Sequence, residues 1–141
     1  MTAIEDRLAI EDLFVRYTTA LDNGEVEAVV GCFTPDAVLE SPAIGSIAGH
    51  DAIRAFAGRF AALRQEGTQF RHMITNLAIA SEGGRARATS YLLVLITRDG
   101  ASRPLPPGRY ECELVKEGGT WRFQRRVVFH DHAYTLDGLA P

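Results

Sequence analysis

Three side chains in this sequence are of types that transfer protons: Tyr17, Asp22 and His72. An imidazole titrates near ~6.5, so it can act as a base or as an acid near neutral pH. A phenol can donate a hydrogen bond to an oxygen on which negative charge develops. Each residue also has an ordinary structural interpretation. A tyrosine on an apolar helix stripe fits a core, an aspartate can end a helix, and a histidine can simply belong to a strand.

Five other polar residues are weaker candidates. Arg125 and Arg126 lie in the last predicted strand, where alternation points one of them inward. An inward arginine could bind a carboxylate, phenolate or leaving group, and we assign this substrate-binding role to Arg126; the alternative is a solvent-facing or ion-paired arginine. Asn76 could donate to a substrate carbonyl or only hold a strand. His130 and His132 would share a strand face, but two ligands do not complete a metal site. We interpret them as surface or interface histidines and predict no metal.

Length and composition indicate one domain over residues 1–141. The chain has 46% apolar and 23% charged residues and a formal net charge of −3. This apolar content allows a core and excludes a disordered chain. No apolar run approaches the ~20 residues that span a bilayer, and the polar amino terminus does not resemble a signal peptide. A weakly acidic chain binds nucleic-acid phosphates poorly. Cys32 and Cys112 are too few for a disulfide framework. We expect a cytoplasmic protein without a membrane or nucleic-acid partner.

Apolar residues at steps of three or four predict three helices in the first half of the chain. The first carries Ile4, Leu8, Ile10, Leu13, Phe14, Tyr17 and Leu21 and ends at Asp22-Asn23-Gly24. The second covers residues 25–33 and is broken by Thr34-Pro35-Asp36. The third has Asp51 as its N-cap and an inner stripe of Ile53, Phe56, Phe60 and Leu63.

The rest of the chain has the composition of strands. Two short strands, 37–40 and 44–48, flank a Ser41-Pro42 turn. Four segments rich in β-branched and aromatic residues follow, at 70–80, 85–97, 110–116 and 121–134. Three prolines, Pro104, Pro106 and Pro107, keep the stretch after Gly100 out of a central strand. Helices followed by long antiparallel strands predict an α+β domain with a curved sheet and a ligand cavity.

The order of elements and several motifs resemble the nuclear transport factor 2-like, SnoaL-like superfamily over nearly the whole chain. The motifs are RYTTALDNGE (16–25), CFTPDA (32–37), GHDAI (49–53), RHMITN (71–76) and TWRFQRR (120–126). The resemblance implies a cystatin-like cone, in which about three helices pack over a strongly curved mixed sheet. This scaffold carries enzymes, binding modules and assembly domains, so it does not by itself fix a function.

Within the superfamily, the chain looks nearest to scytalone dehydratase, hexachlorocyclohexane dehydrochlorinase and bile-acid 7α-dehydratase. In that branch a helix-borne aspartate pairs with a histidine on the sheet, and Asp22 and His72 match those positions. Tyr17 matches a tyrosine that the bile-acid 7α-dehydratase carries five residues before that aspartate. The resemblance implies His72 as general base, Asp22 as its orienting partner and Tyr17 as proton donor, without any cofactor. We expect Tyr110 and Phe56 to line the cavity and contact substrate.

One departure concerns the steroid Δ5-3-ketoisomerases. The segment 38–42 resembles the place where those enzymes carry a catalytic aspartate before a proline, but Ser41 stands there and cannot act as a carboxylate base. Glu40 is adjacent, yet in a strand it would face the opposite way. Tyr17 also matches the oxyanion tyrosine of those isomerases, so only their base is missing. A mechanism based on His72 and Asp22 is therefore favoured.

The sequence thus predicts a cofactor-independent lyase or isomerase that acts on a small hydrophobic, cyclic molecule. The alternatives are a non-catalytic ligand-binding or assembly domain, a polyketide-cyclase-like or steroid-isomerase-like enzyme, and the small subunit of a ring-hydroxylating dioxygenase. The superfamily commonly assembles through the exposed face of its sheet. We therefore expect a homodimer or homotrimer under either the catalytic or the binding hypothesis.

Overall fold

The computed structural model describes residues 2–137. Three helices lie in the first half of the chain: α1 (Ile4–Asn23), α2 (Val26–Val30) and α3 (His50–Gln65). Seven strands make up the remainder: β1 (Phe33–Ser41), β2 (Gly45–Ala48), β3 (Gln69–Glu82), β4 (Arg85–Arg98), β5 (Ala101–Pro104), β6 (Gly108–Glu117) and β7 (Thr120–His130).

The strands form one mixed sheet with the order β2-β1-β7-β6-β4-β3, and β5 pairs with β4 beside this path. Strands β1 and β7 are parallel, and the other pairs are antiparallel. Helix α1 packs on β3 and β7, and α3 packs on β1, β2 and β3. The predicted α+β class, with three helices over a mixed sheet, is confirmed. None of the helices within residues 2–137 is long and apolar enough to cross a bilayer.

Helix α1 buries the stripe that its periodicity predicts, but only from Ile10 onward. The buried members are Ile10, Leu13, Phe14, Tyr17 and Leu21. The expectation was wrong for Ile4 and Leu8, which are 73% and 56% exposed. Their spacing continues the stripe, but the core packs against the helix only from Ile10 onward.

Two predicted boundaries near the second helix were wrong. Helix α2 ends at Val30, and Phe33 already begins β1, so Pro35 lies inside a strand. Proline is tolerated there because the register between β1 and β7 shifts between Phe33 and Val38, so its missing N–H removes no ladder bond.

The N-cap of α3 is Gly49, which has no side-chain cap. Asp51 lies in the first turn and pairs instead with Arg54.

The last strand is shorter than predicted. Strand β7 ends at His130, and residues 131–137 leave the sheet. The departing chain is tied to the segment before β6, because the Asp131 N–H donates to the Pro107 carbonyl at 2.8 Å. Residues 131–137 therefore lie beside the end of the sheet and do not extend it.

Gly24 ends α1 two residues after Asp22 and so fixes where that aspartate stands. It has φ +73°, a left-handed conformation that costs a residue with a side chain roughly 1 kcal/mol. A Cβ there would also lie 3.3 Å from the backbone of Ala61 on α3. The predicted helix end at this glycine is confirmed.

Replacing Gly24 by alanine should lower the free energy of unfolding by about 1 kcal/mol, because strain and crowding act together. The matched control is Gly58→Ala inside α3, where no neighbour lies within 4 Å. That change should raise the free energy of unfolding by up to about 1 kcal/mol, since alanine favours a helix interior. Urea titration of both variants measures the difference, and the opposite order would contradict this account of the helix end.

Candidate active site

The carboxylate of Asp22 binds two donors of a single residue on β3. Its Oδ2 accepts the backbone N–H of His72 at 2.9 Å, and its Oδ1 lies 2.5 Å from His72 Nδ1. The side chains of His72 and Asp22 are only 6% and 8% exposed. The last turn of α1 is thereby fastened to β3 by the same contacts that orient the imidazole.

The contact with Asp22 also determines which nitrogen of His72 is free. An ionised carboxylate can only accept, so Nδ1 carries the proton and Nε2 of the neutral ring keeps its lone pair. The ring centroid lies 5.9 Å from that of Phe60 and 6.4 Å from that of Phe70. His72 is therefore a base of fixed orientation in largely apolar surroundings.

A cavity of about 50 Å³ lies between helices α1 and α3 and the sheet. A space of this size holds a few water molecules. Its walls are mainly aliphatic and aromatic side chains. Four of the predicted site residues line it: Tyr17, Phe56, His72 and Tyr110. Asp22 does not line the cavity, but it contacts His72, which does.

The phenols of Tyr17 and Tyr110 are both buried. Tyr17 packs edge-on against Phe33 and Phe123, with ring centroids 5.6 and 5.8 Å apart. Burial raises the pKa of both Tyr17 and Tyr110 above the ordinary value, because a phenolate is poorly solvated there. The positive charge of Arg126 opposes this effect in both residues. Both phenols are therefore protonated at neutral pH and can serve as donors.

The inward arginine is Arg126, which is fully buried. Its guanidinium carbon lies 3.6 Å from the ring centroid of Tyr110 and 4.3 Å from that of Tyr17. It donates to Cys112 Sγ at 3.3 Å, whereas its Nε and Nη2 have no partner within residues 2–137. Arg126 is not among the cavity-lining residues and lies against the two tyrosines that are. In this structure the two tyrosines thus lie between the Arg126 side chain and the cavity.

Arg125 and Glu40 lie on the opposite face of the sheet. Arg125 donates to both carboxylate oxygens of Glu40, at 3.1 and 3.2 Å. The expected outward orientation of Glu40 is confirmed, while its neighbour Ser41 lines the cavity.

Asn76 lies away from the cavity. Its φ of 55° places it in the left-handed region, and the pairing of β3 with β4 shifts between Thr75 and Ala78. This bulge breaks the strict alternation that would have put Asn76 on the face of His72. Its side chain is exposed and is not part of the cavity wall.

Two titratable residues of the cavity wall were missed by the sequence analysis: His130 and Tyr134. His130 is not the surface histidine expected, because it lies four residues after Arg126 and shares its inward face. Extending the alternation from Arg126 through Val128 would have identified it. His132 is exposed beyond the strand, so the two histidines do not share a strand face. Within residues 2–137, no three His, Cys, Asp or Glu side chains are grouped as metal ligands would be.

The buried phenol of Tyr17 should make stability depend on alkaline pH. Its pKa is higher in the folded chain than in the unfolded chain, where it is about 10. The protonated phenol thus makes its full contribution to the free energy of unfolding below pH 10. Above pH 10 this contribution is lost as the pH rises, by up to about 1.4 kcal/mol per pH unit. In urea titrations, the free energy of unfolding of Tyr17→Phe should change with pH in parallel with that of the wild type from pH 7 to 9. Above pH 10 it should fall less steeply than that of the wild type. Identical slopes above pH 10 would contradict a buried, protonated phenol.

Comparison with known proteins assigns this chain to a family. The profile of the SnoaL-like domain matches residues 2–127. The uncharacterized protein Rv2910c of Mycobacterium tuberculosis is 27% identical over 133 residues, covering 88% of this chain and 84% of that protein.

Two solved structures are similar. One is a Catenulispora acidiphila protein in complex with S-DNPA, 30% identical, with a TM-score of 0.80 and coverage of 92% of this chain and 96% of that one. The other is an NTF2-like protein with a cystatin-like fold from Novosphingobium aromaticivorans. It is 22% identical, with a TM-score of 0.82 and coverage of 93% and 85%, and supports the fold alone. The chain belongs to the SnoaL-like domain family, with an NTF2-like fold.

Proposed function

We propose that this protein is a cofactor-independent lyase or isomerase that moves protons on a small, largely apolar, cyclic molecule. The observation that carries the proposal is the hydrogen-bonded pair of Asp22 and His72, with His72 on the wall of an apolar cavity. An imidazole with a carboxylate on one nitrogen and a cavity beside it has the arrangement that general-base catalysis needs.

The proposed reaction begins with His72. Its Nε2 takes a proton from a substrate carbon next to a carbonyl, and the C–H electron pair moves toward the carbonyl oxygen. Asp22 stabilises the imidazolium that forms, through the hydrogen bond to Nδ1. Return of the proton to another carbon completes an isomerisation. In an elimination, the enolate electrons instead form a C=C bond while the C–O bond on the neighbouring carbon breaks, and the leaving hydroxyl takes the proton from the His72 imidazolium and departs as water.

Tyr17 supplies the acid in this proposal. Its phenol lines the cavity and is protonated, so it can donate to the oxygen on which negative charge develops. Arg126 lies 4.3 Å from the centroid of the same ring. Its positive charge favours the transient phenolate, so we assign it a positioning and electrostatic role instead of a substrate contact.

The size of the cavity limits the substrate. A volume of about 50 Å³ is far below the ~300 Å³ or more of common ligand pockets. A single six-membered ring would enter only if a wall residue turned aside. Tyr134 is half-buried and lies outside the strands, so it is the side chain best placed to move.

Deuterium exchange tests the base without knowledge of the natural substrate. We expect the wild type in D₂O to accelerate exchange of the protons next to the carbonyl of 2-cyclohexenone or 2-tetralone, followed by proton NMR. His72→Asn keeps a donor for Asp22 but lacks Nε2, and it should lose about 10²–10⁴-fold of the rate. Asp22→Asn should also slow exchange, because it removes the charge that holds the tautomer and stabilises the imidazolium.

The matched control for this experiment is His132→Asn, a change at an exposed histidine outside the cavity. It should exchange both probes at the wild-type rate, and circular dichroism should show that all variants are folded. Wild-type rates no faster than buffer, or equal rates in His72→Asn, would overturn the catalytic proposal.

A non-catalytic binding domain is the second candidate, and the mainly apolar lining of the cavity favours it. The same apolar walls could hold a ligand without transforming it. This candidate would be preferred if the probes bind in the cavity, as seen by shifts of the Phe56 and His72 resonances, but neither one exchanges.

We also propose that the protein self-associates through the outer face of its sheet. Met73 and Tyr91 are 41% and 59% exposed on neighbouring strands, on the side away from the cavity. Sedimentation velocity should show a dimer or trimer that dissociates in Tyr91→Arg. Leu8→Arg, at an exposed leucine of α1, should leave the assembly intact. A monomeric wild type at 0.1 mM (roughly the upper range of a routine run) would contradict the proposal.

A further inference from the structure

His130 lies across the cavity from His72. The pairing runs from His130 on β7 to Gly108 on β6, then to Leu92 on β4 and Ile74 on β3, two residues from His72. Three inter-strand steps of about 4.8 Å separate the two histidines, or about 14 Å along the sheet. Both side chains line the same cavity. His130 therefore offers a second imidazole on the cavity wall, three strands away from His72.

The position of His130 is fixed by the segment before β6. Its Nδ1 lies 3.0 Å from the Pro106 carbonyl oxygen, and the next residue, Asp131, donates to the Pro107 carbonyl. A side chain on Gly108 would collide with the Phe129 carbonyl and approach His130 Nδ1 to 3.2 Å. The prolines have fixed φ angles, and the glycine permits close approach of β6 and β7. The histidine is thus held in a prepared orientation.

The carbonyl of Pro106 also selects the tautomer of His130. A carbonyl oxygen only accepts, so Nδ1 of the neutral ring carries the proton and Nε2 is an acceptor. The hydroxyl of Tyr134 is 3.4 Å from this Nε2, and the two rings meet edge-on with centroids 4.8 Å apart. At 3.4 Å the hydrogen bond is long and weak, so opening it costs little. Burial raises the pKa of Tyr134, which keeps this phenol a donor.

We propose that His130 and Tyr134 form a subsite for a hydroxyl group of the ligand, at the end of the cavity opposite Asp22 and His72. The ligand O–H donates to His130 Nε2, and its oxygen accepts from the Tyr134 O–H, replacing the long contact between the two residues. The inference deepens the proposed function and rests on the cavity being its substrate site. It narrows the substrate class to hydroxylated rings, such as phenols, enols and cyclic alcohols.

The subsite discriminates by hydrogen-bond chemistry and not by size. An ether or a hydrocarbon of the same shape has no proton for Nε2, so that acceptor would be left unpaired when the ligand excludes water. One hydrogen bond of this kind changes affinity by about three- to tenfold. A hydroxylated ring is therefore selected over its methylated or deoxygenated analogue by that factor.

Phenol and its methyl ether, anisole, are the probes for this subsite. We expect NMR titration of the wild type to give phenol an affinity three to ten times that of anisole. His130→Asn keeps an N–H for the Pro106 carbonyl but lacks Nε2, so its preference should fall to about one. Tyr134→Phe should lose part of the preference, and His132→Asn should keep all of it. A two-bond ¹H–¹⁵N spectrum should show His130 protonated at Nδ1 when neutral.

Two results would overturn the subsite: an undiminished phenol preference in His130→Asn, or a neutral His130 protonated at Nε2. His72→Asn separates this proposal from the catalytic one, because it removes the exchange activity but should leave the phenol preference unchanged. If the wild type prefers phenol through His130 but accelerates exchange of neither ketone probe, the subsite is supported and the proposed catalysis is wrong.

Discussion

The buried carboxylate of Asp22 connects the two halves of the molecule. Removing a carboxylate from water is costly unless donors replace the solvent, and both donors here come from His72. Breaking a buried charged contact of this kind typically costs about 3–5 kcal/mol. One contact therefore holds α1 against β3 and orients the imidazole in the cavity. Stability and any chemistry at His72 depend on the same atoms.

Arg126 is a second buried charge, and its positive charge is stabilised in a different way. No carboxylate within residues 2–137 contacts it; four aromatic rings surround it instead, with centroids 3.6–4.9 Å from the guanidinium carbon. The negative faces of aromatic rings attract a cation, and this attraction strengthens where water is absent. Two of these rings, Tyr17 and Tyr110, also line the cavity. The positive charge thus acts on the cavity through the phenols.

Features of this chain that depend on nearby residues could be predicted from the sequence, whereas features that depend on the pairing of distant strands could not. Helical periodicity gave α1 and α3, and the glycine after Asp22 gave the end of α1, because both depend on nearby residues. Pro35 inside β1 and the bulge at Asn76 could not be seen, since each depends on how a distant strand pairs. The inward orientation of His130 could be predicted once Arg126 was placed inward. The sequence did not show which of Arg125 and Arg126 points inward.

The sequence by itself determined the α+β class, the three helices and, through its family motifs, the pairing of Asp22 with His72. It also determined that Ser41 supplies no carboxylate base. Only the tertiary structure decided that Ser41, His130 and Tyr134 also line the cavity and that Arg126 and Asn76 do not. The physical reason is that a bulge or register shift of one residue reverses the face of every side chain after it. The composition of a strand does not reveal such a shift.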